Sequence, residues 1–379
     1  MPIQNKSIAI VGGGPGGLTL ARLLQQQELN VKVYERDLNK DVRVQGATLD
    51  LHEESGLEAL RKAGLIQQFY ELYRPEAGKL RITDKYGQIK LDDHDSGEDN
   101  NRPEIDRGPL RKLLLESLEP GTVVWDSHFL RMEKENNGWR LHFSNNNTAY
   151  VDIVIAADGA NSKIRPWLTS ISPVYSGITI VEGNLYDAAE NAPELFKLVN
   201  GGKVFAFGDE QSLILSQKGD GSLAFYTGCK TAEDWVTKSR IDFSDKDQVL
   251  QWFRGAFGTW GPLWQQLFNG EKISFVPRPQ YHFPFNQQWK TQNNLTMLGD
   301  AAHRMPPYAG EGVNMAMQDA LELAECLCSN EYLTSEQAIH AYESRMLIRA
   351  AAVTQITLES TAMLHSTDPV GWMTRLFEG

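Results

Sequence analysis

The stretch from Ser7 to Glu35 constrains the fold more than any other part of the 379-residue chain. The short apolar run Ser7-Ile8-Ala9-Ile10-Val11 passes directly into Gly12-Gly13-Gly14-Pro15-Gly16-Gly17 and then into Leu18-Thr19-Leu20-Ala21-Arg22-Leu23-Leu24. That order reads as strand, glycine turn and helix. Gly12, Gly14 and Gly17 keep the GxGxxG spacing, in which the first permits a tight turn, the second lets backbone approach a pyrophosphate and the third lets helix pack closely on strand. Pro15 and Gly16 fill the same turn, where the N–H groups of a helix start face phosphate. A second apolar run, Val31-Lys32-Val33-Tyr34, ends in Glu35, placed to accept hydrogen bonds from a ribose hydroxyl. A glycine turn alone also serves packing; the full strand–turn–helix–strand–Glu context makes it a dinucleotide site, without choosing between NAD and FAD.

Two later segments bear on that choice. Leu295-Thr296-Met297-Leu298 closes on Gly299-Asp300, a proline- and glycine-rich loop follows through Pro307, Tyr308 and Gly310, and a helix is expected from about Val313 through Leu327. Asp300 at a strand end can bind a second ribose. Backbone from Gly310 through Gly312 and Val313 to Asn314, at a helix start, can hydrogen-bond flavin carbonyl oxygens and stabilise negative charge on a reduced ring. Val154-Ile155-Ala156-Ala157 closes on Asp158-Gly159 before a predicted helix; Asp158 reads either as a cofactor neighbour or as the cap of that helix.

GxGxxG, Asp-Gly and Gly-Asp in this order resemble the single-component FAD-dependent aromatic hydroxylases of the para-hydroxybenzoate hydroxylase family. Arg43-Val44-Gln45-Gly46-Ala47-Thr48-Leu49-Asp50-Leu51-His52, Gly56-Leu57-Glu58-Ala59-Leu60-Arg61-Lys62-Ala63-Gly64-Leu65 and Pro103-Glu104-Ile105-Asp106-Arg107 with Leu110-Arg111 are further similar to the tetracycline-inactivating Tet(X)-type flavin monooxygenases. The resemblance implies FAD contacts from Glu35, Arg36, Asp50, Arg111 and Asp300, and an NADPH contact from Arg43. It also implies that NADPH reduces FAD, that the reduced flavin captures O₂ as a hydroperoxide, and that oxygen passes to an electron-rich carbon of a polycyclic or aromatic small molecule, tetracyclines among the candidates. No protein nucleophile or fixed base is required, because the cofactor carries the difficult step.

The fold expected is α/β: a discontinuous Rossmann-like FAD domain over 1–71, 103–173 and 282–333, an inserted mainly antiparallel substrate sheet over 72–102 and 174–281, and a C-terminal bridging helix over 334–379. Alternating runs such as Lys203-Val204-Phe205-Ala206-Phe207 and Ser222-Leu223-Ala224-Phe225-Tyr226 mark the sheet. The resemblance puts the substrate against Glu182, Lys203, Phe205, Ala224, Pro307, Tyr308, Gly310 and Met363, with Trp372 near the entrance. Glu182, Lys203 and Ala224 stand where tetracycline-binding members carry glutamine, arginine and histidine; Tyr308 replaces phenylalanine and Glu311 replaces glutamine. The loss of a bidentate arginine changes recognition of a polar, acidic ring.

Composition narrows the partners. The formal charge of −12 is the wrong sign for wrapping nucleic acid or holding an anionic membrane, and no apolar run approaches the ~18 residues a spanning helix needs. The N-terminus lacks a signal-peptide pattern, and Cys229, Cys326 and Cys328 form no metal or disulfide framework. A cytoplasmic monomer is expected, with no metal. His303 reads as a brace for the proline loop, Asp92-Asp93-His94-Asp95 with Glu98-Asp99 as a solvated loop tip, Trp252, Trp260 and Trp264 as core, Asn145-Asn146-Asn147 as a hairpin turn, and Lys203 with Glu182 as either substrate contacts or an ion pair. Rival readings are a flavin reductase or halogenase, against whose second form the missing Trp-x-Trp-x-x-Ile counts, and a protein that binds FAD or a drug without turnover.

Overall fold

The structure, a computed structural model, describes residues 3–41, 48–93 and 102–378, with 377 and 378 by backbone alone. Its first sheet is five-stranded and parallel, in the order Leu295–Met297, Ile153–Ala156, Ile8–Val11, Val31–Tyr34, Val123–Val124. Ile8–Val11 and Ile153–Ala156 are buried at every position, as parallel strands covered on both faces require. Helix Pro15–Gln25 leaves the glycine turn and packs against helix Gly312–Cys328. A three-stranded antiparallel meander, Phe129–Glu135, Gly138–Phe143 and Thr148–Val151, adds a further layer, with Trp139 buried in it and its indole N–H donating to the Asn294 carbonyl at 3.2 Å. Asn146, at φ 65, turns its second hairpin as the sequence predicts.

The second sheet has seven strands, ordered Ile273–His282, Val174–Leu185, Leu223–Lys230, Gln211–Gln217, Lys203–Gly208, Leu80–Asp84, Ile89–Asp93. It is antiparallel except where Lys203–Gly208 runs parallel to Leu80–Asp84. Local alternation cannot reveal that exception, because strand direction there is set by how a much earlier segment enters the sheet. Pro277 and Pro279 lie in the edge strand, where a missing N–H is tolerated. One face of the sheet, with Val181, Val204, Leu213, Leu215 and Phe225, packs under helices Pro193–Val199 and Lys246–Ala256 in an apolar layer that buries Trp260 and Trp264, with Trp252 at its border. The opposite face looks toward the first sheet. A two-stranded ladder, Leu49–Asp50 against Glu104–Ile105, lies in the connections between the two.

Two expectations are corrected. The C-terminal region is two helices, Ser335–Leu364 and Pro369–Glu378: the first ends at His365, whose φ of −112 and ψ of 30 leave the helix, and Pro369 opens the second, where its missing N–H would have had no partner. After Asp158 no α-helix forms. Gly159 at φ 81 and Pro166 leave only the 3-10 turn Arg165–Trp167. Among the described residues no helix is long and apolar enough to cross a membrane.

Candidate functional site

A cavity of about 1340 Å³ opens between the carboxyl ends of the parallel strands and the inner face of the seven-stranded sheet. At one end the glycine turn forms its wall. A Cβ on Gly12, whose φ is +114, would fall 2.1 Å from the Ala157 carbonyl oxygen, and one on Gly17 would fall 2.2 Å from the Gly12 oxygen, so these two glycines serve close packing. At Gly14 a Cβ would meet nothing within 4 Å, and Gly14, Pro15, Gly16 and Gly17 all line the cavity. No side chain caps the start of Pro15–Gln25 or of Gly312–Cys328. Both helix starts therefore offer free N–H groups and the positive end of a helix dipole to the same space.

Opposite stand Gly299 and Asp300. Gly299 has φ +61, and its N–H donates to Asp319 Oδ2 at 2.8 Å. The same carboxylate oxygen accepts from His303 Nε2 at 2.5 Å, and Arg349 pairs with its other oxygen at 2.7 Å. Burial opposes the charge on both partners, but their mutual attraction wins, so the Asp319 pKa is lowered and the His303 pKa raised. His303 thus braces the turn that presents Asp300. The next loop, with the 3-10 turn Pro307–Ala309 and Gly310 at φ 72, brings Pro307, Tyr308, Gly310, Gly312 and Val313 to the wall. Asn314 ties it to Asp50: its Nδ2 donates to the Asp50 carbonyl at 2.9 Å and its Oδ1 accepts from the His52 N–H at 2.9 Å.

The sheet supplies the far wall. Residues paired across strands share a face, which puts Glu182, Tyr226, Ile214, Phe205 and Ile82 in one row and Asn184, Ala224, Ser216, Lys203 and Leu80 in the next. Phe205 and Lys203 line the cavity, joined by Ile180, Ile214, Ser216 and Tyr226. Glu182 and Ala224 lie on that face but outside the lining: Glu182 bonds Arg278 and Ala224 is fully buried. Lys203 pairs with Glu104, not with Glu182. Leu364 reaches the lining in place of Met363, whose side chain points off the C-terminal helix and is 36% exposed. Trp372 packs with the apolar cluster around Leu80, Phe207 and Leu364.

Glu35, Arg36, Arg111 and Asp158, also expected at the cofactor, stand outside the cavity lining. Glu35 is buried at the strand end, accepting from the Gly13 N–H at 2.6 Å and the Asp37 N–H at 3.0 Å. Arg36 alternates outward and is exposed. Arg111 is buried and donates to the Lys40 carbonyl and to Asp37 Oδ2, so it holds the loop after Glu35. Asp158 accepts from the Lys163 N–H, acting as a turn cap, while its Oδ1 is buried with no partner among the described residues; burial raises its pKa. Its chain neighbours Ala157 and Gly159 line the cavity. Arg43 lies outside the described residues, as do His94, Asp95, Glu98 and Asp99 of the expected loop tip, whereas Asp92 and Asp93 end the strand Ile89–Asp93 and line the cavity.

The open cradle at Gly14, two uncapped helix starts and the orphaned Asp158 oxygen fit an FAD held from the glycine turn to the Gly310 loop. The chain belongs to the FAD binding domain family, matched over residues 5–357. It is an FAD-dependent monooxygenase. Monooxygenase asqM of Emericella nidulans is 28% identical over 428 residues, covering 95% of each chain. The 6-hydroxynicotinate 3-monooxygenase of Pseudomonas fluorescens is 28% identical over 378 residues, covering 97% of this chain and 94% of that protein. The tetracycline destructase Tet(55) shares the fold, with a TM-score of 0.76 at 17% identity over 95% of this chain and 90% of its own.

Sequence reading missed Thr48, Glu104, Ser216, Tyr226, Ile180 and Ile214, all of which line the cavity. A signal existed for four of them, Thr48 among them because it too stood in a quoted motif. Ile180 and Tyr226 stand two residues from Glu182 and Ala224, and period-two alternation puts such neighbours on one face; Glu104 lay in a quoted motif with no role attached.

Proposed function

We propose that this protein uses NADPH and O₂ to place one oxygen atom on an electron-rich ring of an aromatic or polycyclic small molecule, with tetracyclines among the candidate substrates. One observation carries the reading: the cavity is continuous from the Gly14 turn to Phe205, Ile214 and Tyr226 on the sheet, and at about 1340 Å³ it exceeds the ~300–1,000 Å³ of a single-ligand pocket. Bound FAD would supply the redox chemistry, taking reducing equivalents from NADPH and activating O₂. The chain's own part is to hold, orient and shield. Gly14, Gly16 and Gly17 would hold pyrophosphate, Glu35 and Asp300 would hold ribose or ribityl hydroxyls, and Gly312 and Val313 N–H groups would meet the flavin ring. Arg36, Arg43, Asp50, Arg111 and Asp158 complete the cofactor assignment, with Arg43 toward NADPH.

Phe205, Ile180, Ile214, Tyr226, Pro307 and Tyr308 form an apolar wall that would orient a flat ring and keep water from the oxygen-transfer step. Glu182, Ala224, Gly310 and Met363 remain candidates at its margins. The reading includes a monomer acting in the cytoplasm without nucleic-acid or membrane partners, which a net charge of −12 supports. The test is mass spectrometry of tetracycline after incubation with the yellow protein, NADPH and ¹⁸O₂. A product heavier by one labelled oxygen, with NADPH and O₂ consumed in step, supports the reading. NADPH oxidation with no labelled product from tetracycline or from 6-hydroxynicotinate would point to another ring substrate and remove tetracyclines from the candidates, and neither change to a binding protein.

A further inference from the structure

The cavity's polar corner is built from three directions. Asp50 and Glu104 face each other across the short ladder, and Lys203 reaches over from the seven-stranded sheet to donate its Nζ to Glu104 Oε1. Glu104 is only 3% exposed and its Oε2 has no hydrogen-bond partner among the described residues. Beside it Thr48 and Ser216 share a hydrogen bond of 3.1 Å between hydroxyls. Asp50 is held by His52 Nε2 at 3.1 Å, with Arg102 3.9 Å away; Lys79 and Arg107 also stand on the cavity wall. Glu104, Asp50, Lys203, Thr48 and Ser216 all line the same cavity as Phe205, Ile214 and Tyr226.

The two carboxyl groups are driven apart. At Asp50 burial opposes the charge, but the His52 hydrogen bond and the nearby Lys203 and His52 charges outweigh it, so its pKa is lowered. At Glu104 burial lifts the pKa, Lys203 pulls against it and the Asp50 charge adds to the rise. One carboxylate is fixed as an anion and its neighbour is made the better proton acceptor, which is how paired carboxyls divide acid–base work.

We infer that Lys203 and Glu104 form an acid–base pair for an acidic ring hydroxyl on the substrate, Lys203 holding the oxygen while Glu104 accepts its proton. The inference rests on the monooxygenase reading and narrows its substrate to a phenol or enol. The step balances without a co-reactant: the substrate O–H bond breaks, its electron pair stays on oxygen as a phenolate beside the Lys203 ammonium, and the proton forms a new O–H bond on Glu104. Ionisation enriches the ring in electrons where oxygen is to be added, and the site's net charge does not change.

The test is binding of 4-nitrophenol, whose ionised form absorbs visible light, to the FAD-loaded protein below the phenol's own pKa. Difference spectra read ionisation, and calorimetry in buffers of different ionisation enthalpy counts protons. The expected result is an ionised bound phenol with close to zero protons released by the parent protein and about one released by Glu104→Gln. Glu104→Asp should restore internal transfer, and Lys203→Met should bind the phenol un-ionised. A neutral phenol on the parent protein, equal proton counts for parent and Glu104→Gln, or no binding at any pH would overturn the pair. If ¹⁸O still enters a ring substrate in that event, the monooxygenase reading stands and only this inference falls; absence of label together with the expected proton counts would sink the reading and leave the pair as a binding device.

Discussion

A single methyl group separates the two jobs of the glycine turn. Gly12→Ala would put a Cβ 2.1 Å from the Ala157 carbonyl oxygen at a φ of +114, whereas Gly14→Ala meets nothing in the protein. Gly12→Ala should therefore destabilise the fold by more than about 2 kcal/mol. Gly14→Ala should leave stability within about 1 kcal/mol, the scale of a changed N-cap, yet weaken FAD about tenfold by crowding the pyrophosphate, about 1.4 kcal/mol. Thermal unfolding without FAD and a fluorescence titration with it separate the effects. Unchanged FAD affinity in Gly14→Ala would remove the cradle from the cofactor assignment. The roles of Gly12 as the turn residue and of Gly17 against Gly12 were legible in sequence because a positive φ and a contact five residues apart are local demands, whereas the approach of Gly12 to Ala157 was not. The pairing of Lys203 with Glu104 was not, since nothing local links residues 99 positions apart.

Among the elements, the junction of the two C-terminal helices carries a pH dependence of its own. His365 caps Ser335–Leu364, and its Nδ1–H donates to the Thr361 carbonyl at 2.8 Å, which leaves Nε2 to accept from Ser212 at 3.2 Å and Tyr308 at 3.3 Å. Burial lowers its pKa from 6.5 to about 4, with the Lys230 charge adding to the drop and the Thr361 bond opposing it. The unfolded chain then takes up a proton before the folded one does. His365 costs no stability above pH 6.5, progressively more as pH falls toward about 4, and no further increment below that. Denaturant titrations across this window should show that loss in the parent protein and a shallower one in His365→Asn; identical slopes would show that folding does not shift the ring's pKa. Amphipathic spacing announced helix in this region, but the break after Leu364 and the destination of His365 depended on the surface the helix meets.

At the scale of the molecule, the inner sheet face, the proline loop and the C-terminal helices converge on Gly228. A Cβ there would lie 2.3 Å from Ser212 Oγ, 2.3 Å from Tyr308 Oη and 2.7 Å from His365 Nε2. Gly228→Ala should cost about 1–3 kcal/mol as an overpacked core site does, and push Tyr308 into the cavity it lines. The expected signature is a lower melting temperature, unchanged FAD content, and more NADPH oxidised per product formed. A variant as stable and as well coupled as the parent would show that Tyr308 moves freely at this junction.

Much of the architecture was written locally. Apolar runs closing on glycine or Gly-Asp specify parallel strands ending at a cofactor, and alternation specifies a sheet whose two faces differ, because both patterns are set within a few residues by backbone geometry. Alternation put Phe205 and Lys203 on one face of the sheet, and the resemblance turned that face toward the substrate. The sequence could not show that Arg111 serves the loop at Lys40, that Glu182 turns to Arg278, or that Leu364 rather than Met363 faces the cavity. Those outcomes are choices among partners brought together only by folding. Tertiary structure alone set two carboxyl groups and a lysine from three separate segments around one buried corner, where burial and neighbouring charge, rather than residue type, make Glu104 the better proton acceptor and Asp50 the weaker.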